Sequence, residues 1–158
     1  MRFTNTSNVP SEILKEMIRQ AVPPGVSSFD IKFNKTSYSL RGLAYEWHRY
    51  NARLRRHVPL VTIKIPSSFG EHPRPIRVSC SRKEVRKQRQ QCRGYMPWEC
   101  YTDHEEIVHV IAHELRHLWQ FKGKGKRRKG MVWGARGSAS ERDADAYGIR
   151  ITRSWRRR

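Results

Sequence analysis

Between Thr102 and Phe121 the apolar residues recur at helical spacing. Ile107, Ile111, Leu115 and Leu118 fall on one stripe, and His113, His117 and Gln120 fall on the opposite side. Thr102 and Glu105 form a capping box, and no Pro or Gly follows until Gly123. The pattern predicts a helix with an apolar face and a separate polar face. A shorter helix is predicted over Ser11–Ala21, where Ile13, Leu14, Met17, Ile18 and Ala21 share a face and Pro23-Pro24-Gly25 ends the run. A last helix is predicted over Ser138–Trp155. Its face holds Ala144, Tyr147, Gly148, Ile151 and Trp155, with Glu141 and Asp145 along the border. Gly148 leaves room there for another helix.

Elsewhere the period is two. Phe29, Ile31 and Phe33 alternate with Asp30 and Lys32, which predicts a strand over Ser28–Asn34. A second strand is expected over Thr36–Tyr45, joined to the first by a hairpin at Asn34-Lys35. Val61, Ile63 and Ile65 predict a strand over Leu60–Ile65, and Ile76–Cys80 a short one after Pro75. Ser81–Cys92 has a capping box at Ser81 and Glu84 and reads as a helix with few apolar residues. Residues 1–9 read as a loose start, and Glu46–His57 has no clear period. The expected fold class is α+β: one domain over 1–158, with a small, mostly antiparallel sheet between the first helix and the last two.

Charge changes the picture more than composition does. Lys plus Arg number 33 against 14 Asp plus Glu, a formal net charge of +19. Such an excess draws polyanions: DNA or RNA, an anionic membrane surface, or acidic proteins. The basic residues concentrate in three segments. These are 81–92 with Arg82, Lys83, Arg86 and Lys87, then 122–137 with Lys124, Lys126, Arg127, Arg128 and Lys129, and Arg156-Arg157-Arg158. No segment has the length and apolarity of a membrane span, and the first residues do not resemble a signal sequence. The expectation is a soluble protein, cytoplasmic or associated with a virion or nucleoid. Cys80, Cys92 and Cys100 are odd in number and lack C-x-x-C spacing, which argues against a disulfide framework. A structural zinc on these three with His72 or His104 is the weaker alternative metal site.

The candidate chemistry lies on the polar face of the 102–121 helix. His113-Glu114-Leu115-Arg116-His117 is an H-E-x-x-H, which sets two imidazoles one turn apart with a carboxylate beside them. That pair can bind one zinc, with Glu114 as general base. A catalytic zinc takes three protein ligands. His109 cannot be the third, because it stands about 12 Å along the axis from His117. The H-E-x-x-H-x-x-G-x-x-H pattern also fails, since position 120 is Gln and position 123 is Gly. No His follows His117, which removes a Spartan-type three-His arrangement. Carboxylates remain in Glu141-Arg142-Asp143-Ala144-Asp145. Glu141 also forms a capping box with Ser138, so it could serve as a cap alone, leaving either Asp145 as the ligand or no metal at all.

With H-E-L-R-H followed by E-R-D-A-D, the chain resembles the gluzincins, and among them the small single-domain minigluzincins. The resemblance covers residues 102–155. It implies a zincin-like fold and a zinc metallopeptidase, with zinc held by His113, His117 and Glu141, one per chain. It implies that Asp145 hydrogen-bonds an imidazole, and that an edge strand, here Ile76–Cys80, takes extended peptide. The family's oxyanion-stabilising His or Tyr has no clear counterpart here, with Tyr147 and Tyr95 as candidates. The expected function is hydrolysis of peptide bonds in a nucleic-acid-associated setting. The alternative is a basic nucleic-acid-binding protein with a structural or degenerate zinc site.

Overall fold

The computed structural model describes residues 1–52, 56–69, 100–121 and 139–158. The elements are β1 (Arg2–Asn5), α1 (Ser11–Ala21), β2 (Asp30–Thr36), β3 (Arg41–Asn51), β4 (Arg56–Pro66), α2 (Asp103–Trp119) and α3 (Ala139–Arg156). The class is α+β, as expected. The predicted strand Ile76–Cys80 and helix Ser81–Cys92 lie outside the described residues, as do Arg82, Lys83, Arg86 and Lys87. So do Lys124, Lys126, Arg127, Arg128 and Lys129 of the other basic segment.

The sheet corrects the expectation of mostly antiparallel pairing. Its order is β1-β2-β4-β3. β1 and β4 both run parallel to β2, and only β3 is antiparallel, against β4. β2 and β3 do run in opposite directions, as a hairpin would, but β4 lies between them. The link must therefore cross two strand spacings, about 9.6 Å, which a two-residue turn cannot do. β2 accordingly continues through Asn34 and Lys35, which pair with Lys64 and Ile65. The true hairpin joins β3 to β4 and takes in the segment that had no clear period, with a bulge between Tyr45 and Arg49. The start of the chain is also more ordered than expected. β1 pairs with β2, and α1 is the crossover between these two parallel strands.

One sheet face carries Phe3, Ile31, Phe33, Val61, Ile63 and Ile65, and it packs with Leu14 and Met17 of α1 and the stripe of α2. Ile107, Ile111, Leu115 and Leu118 are all fully buried, as the helical period predicts. Asp30 points to the other face but is only 1% exposed. Arg49 covers it with two hydrogen bonds, at 2.6 and 3.2 Å, and the Arg2 N–H donates a third at 3.0 Å. α3 packs along α2. At their crossing a Cβ on Gly148 would lie 2.8 Å from His109 Cε1, so the buried imidazole occupies the space a side chain would need. His109 is thus a core histidine, with burial pushing its pKa down to about 3.

The last turn of α3 is less free than a basic tail implies. Arg156 binds Glu105 at 2.7 and 2.9 Å and stacks on Tyr101, and Arg158 reaches Glu16.

Candidate metal centre

α2 starts where the capping box predicts. Thr102 Oγ1 accepts from the Glu105 N–H at 3.2 Å, and the Glu105 carboxylate accepts from the Tyr101 N–H at 2.8 Å. From there the helix runs unbroken past His113 and His117. Their rings meet edge to face, with centroids 4.8 Å apart.

Each imidazole is anchored through Nδ1. His113 Nδ1 lies 2.8 Å from Asp145 Oδ1, and His117 Nδ1 lies 2.8 Å from Gln120 Oε1. Gln120 donates its amide to the Ser140 carbonyl at 3.0 Å and to Asp143 at 2.9 Å, which fixes its oxygen toward His117. Both Nδ1 atoms therefore carry the hydrogen, assigned from this network. In neutral rings each Nε2 then presents a lone pair. The two Nε2 atoms are 3.1 Å apart, and Glu141 offers one oxygen to each at 3.3 Å. Lone pairs and a carboxylate converge on one point, which requires a proton or a cation between them.

The spacing suits a metal ion. Neighbouring ligands on a tetrahedral zinc with bonds of about 2.0–2.1 Å stand about 3.3–3.4 Å apart. The donors His113, His117 and Glu141 match that edge length and form one of two His/Asp/Glu clusters among the described residues. The other joins His109, His113 and Asp145. It uses the Nδ1 side of His113 and the buried core histidine. Asp145 thus stands on the far side of the ring from Glu141, which separates a ligand role from an anchoring role. No cluster among the described residues contains Cys100 or His104.

Without a metal, the group holds a proton. Burial pushes His113 down, but the hydrogen bonds to Asp145 and Glu141 outweigh it and raise the pKa to about 10. The same imidazoles hold the Glu141 carboxyl well below the usual range. Glu114 moves the other way. It is 7% exposed, and burial raises its pKa against the pull of His113 and His117. A carboxyl shifted upward is a better proton acceptor, suited to general-base work.

A cavity of about 360 Å³ opens over these groups, lined by Gly42, Leu43, Ala44, His113, Glu114, His117, Phe121 and Glu141. β3, a terminal strand among the described residues, forms one wall; Ile76–Cys80, the edge strand that the resemblance implies, lies outside the described residues. A Cβ on Gly42 would lie 2.4 Å from Glu114 Cγ, so β3 passes directly against the carboxylate.

Sequence reasoning missed Gly42, the Gln120 anchor, and the bidentate Arg116–Asp143 pair at 2.7 and 3.0 Å behind it. Gln120 had a signal, since it follows His117 by three positions and so shares its face. Tyr147 is not placed as an oxyanion donor. It is buried, and its hydroxyl donates to the Ala21 carbonyl at 3.0 Å. Tyr95, Cys80 and Cys92 lie outside the described residues. No protein-family model, curated protein or solved structure matches the chain.

Proposed function

We propose that the protein is a zinc-dependent peptidase of gluzincin type, with His113, His117 and Glu141 holding one zinc per chain and Glu114 as general base. The observation that carries this reading is a three-donor cluster that opens on a cavity beside a buried carboxyl. A structural zinc takes four protein ligands and is closed, whereas a catalytic one keeps a position free. A zinc ion held there supplies Lewis-acid polarisation of water and of a substrate carbonyl. Glu114 then takes the proton of the attacking water and delivers it to the departing amine. Asp145 and Gln120 keep both rings turned with Nε2 toward the cavity. β3 supplies an extended backbone beside Glu114 along which a peptide could pair.

The charge of +19 supports a nucleic-acid-associated setting for this activity. The test is metal analysis of purified protein together with hydrolysis of a casein-type substrate, with and without DNA. The reading expects about one zinc per chain and hydrolysis that Glu114→Gln abolishes with the metal retained. Protein purified without bound metal and unable to take up zinc overturns it, as does hydrolysis that survives Glu114→Gln.

A further inference from the structure

The sheet face turned away from α1 and α2 carries a line of basic side chains. Register places Arg2, Asp30, Leu60 and Tyr45 in one row across the strands. Thr4, Lys32, Thr62 and Leu43 form the next, and Asn34, Lys64 and Arg41 the third. Arg2, Lys32 and Lys64 thus form a diagonal. Neighbours are about 8 Å apart at Cα, from strand spacings of about 4.8 Å and rises of about 6.6 Å per two residues. Arg41 extends the line by one more strand. Among the described residues no carboxylate forms an ion pair with these four side chains. The one acid in these rows, Asp30, is closed off under Arg49. Beside the stripe, Tyr45 and Leu43 are 46% and 49% exposed.

We propose that this face docks single-stranded nucleic acid, with Arg2, Lys32, Lys64 and Arg41 taking phosphates and Tyr45 a base. A line of cations flanked by an exposed aromatic is how single strands are held, the backbone tracked by charge and the bases by stacking. A duplex fits poorly. Four strands span about 14 Å, more than the roughly 12 Å major groove, and paired bases hide the faces that would stack. The proposal stands independently of the peptidase reading, so it holds equally for metal-stripped protein.

The test compares two triple variants of equal net charge by fluorescence anisotropy with a labelled oligothymidylate. One is Lys32→Gln, Arg41→Gln and Lys64→Gln. The other, Arg142→Gln, Arg150→Gln and Arg153→Gln, alters exposed positions on α3. Losing three phosphate contacts should lower the salt slope by about 2, against little change in the α3 variant. Tyr45→Ala should weaken binding at least several-fold and leave the slope unchanged. Equal losses in the two triples overturn the proposal, as does tighter binding to duplex. Binding of anionic vesicles that the sheet triple abolishes, with the oligonucleotide still bound, also overturns it. If the sheet triple does not fold, photocrosslinking of a thiouridine strand to the unaltered protein decides. Adducts on β1–β4 support the proposal, and adducts confined elsewhere refute it.

Discussion

Gly42→Ala probes the contact between strand and carboxylate more sharply than removal of any charged group. The added Cβ would lie 2.4 Å from Glu114 Cγ, 2.7 Å from Oε1 and 2.8 Å from Cδ. Carbon atoms in contact rest about 3.5–4.0 Å apart, so the side chain must retreat by roughly 1–1.5 Å. β3 resists moving because it is laddered to β4 on both sides of Gly42, at Arg41↔Lys64 and Leu43↔Thr62. α2 resists because Leu115, next to Glu114, is fully buried. The carboxylate therefore gives way. A misplacement of about 1 Å in a reacting group can cost roughly 100-fold in rate. Stability should change far less. Replacing Gly in a strand gains about 0.5–1 kcal/mol, against about 1–3 kcal/mol for overpacking. The three nearest atoms all belong to Glu114, so metal content should stay at the wild-type level. Hydrolysis of a fluorogenic peptide, zinc stoichiometry and thermal melting on the same samples make the test. Wild-type turnover in Gly42→Ala would refute the reasoning, and so would loss of metal with the rate deficit restored by excess zinc.

Other substitutions separate the roles within the site. Glu141→Ala should weaken zinc binding most, while Asp145→Asn and Gln120→Leu should each cost about 10–100-fold in zinc affinity or activity; competition with a chromogenic chelator ranks them. Because metal-free His113 keeps its proton up to about 10, zinc binding near pH 8 should release about one proton, read by calorimetry in buffers of different ionisation enthalpy. The same raised pKa means that metal-free protein should lose stability as pH climbs from about 6.5 toward that value. Burial pushes Asp30 and Glu105 up, but Arg49 with the Arg2 N–H, and Arg156 with the Tyr101 N–H, together outweigh it and hold both below their ordinary values. Their contribution is complete above about pH 4 and should fade as pH falls through the folded values, visible as a falling denaturant midpoint. Gly148→Ala should destabilise by about 1–3 kcal/mol through the His109 ring, despite the better helix propensity of Ala; urea unfolding measures it.

What the sequence disclosed was local in origin. The start of α2 follows from Thr102 and Glu105, and its buried face from the spacing of Ile107, Ile111, Leu115 and Leu118, all within one helix. The His113–His117 pair was legible for the same reason, being a four-residue spacing on α2, whereas the choice of Glu141 over Asp145 rested on the gluzincin resemblance and not on local pattern. The sheet was not legible. Whether β4 lies beside β2 or beyond β3 depends on contacts between segments far apart in sequence, and Asn34 and Lys35 look like turn residues until Lys64 and Ile65 are set against them. Asp30 falls on the polar side of its strand by alternation, and its burial could not be read because its cover, Arg49, comes from β3, two strands across. Gly42 carried no signal, since its role is defined by the Glu114 side chain that occupies its missing Cβ.

The anchoring of both imidazoles reaches onto α3, directly from Asp145 to His113 and through Gln120 to Ser140 and Asp143 for His117. Undocking α3 would therefore remove one donor and loosen the orientation of the other two in a single event. If zinc binds across the pair as proposed, it acts as a brace that the unfolded chain does not share. At free zinc a thousandfold above the dissociation constant, the brace adds about 4.1 kcal/mol to unfolding, a large part of the stability of an ordinary small domain. The melting temperature then becomes a gauge of zinc availability. A protein built this way can lose its fold, and not just its chemistry, when a chelator takes the metal away.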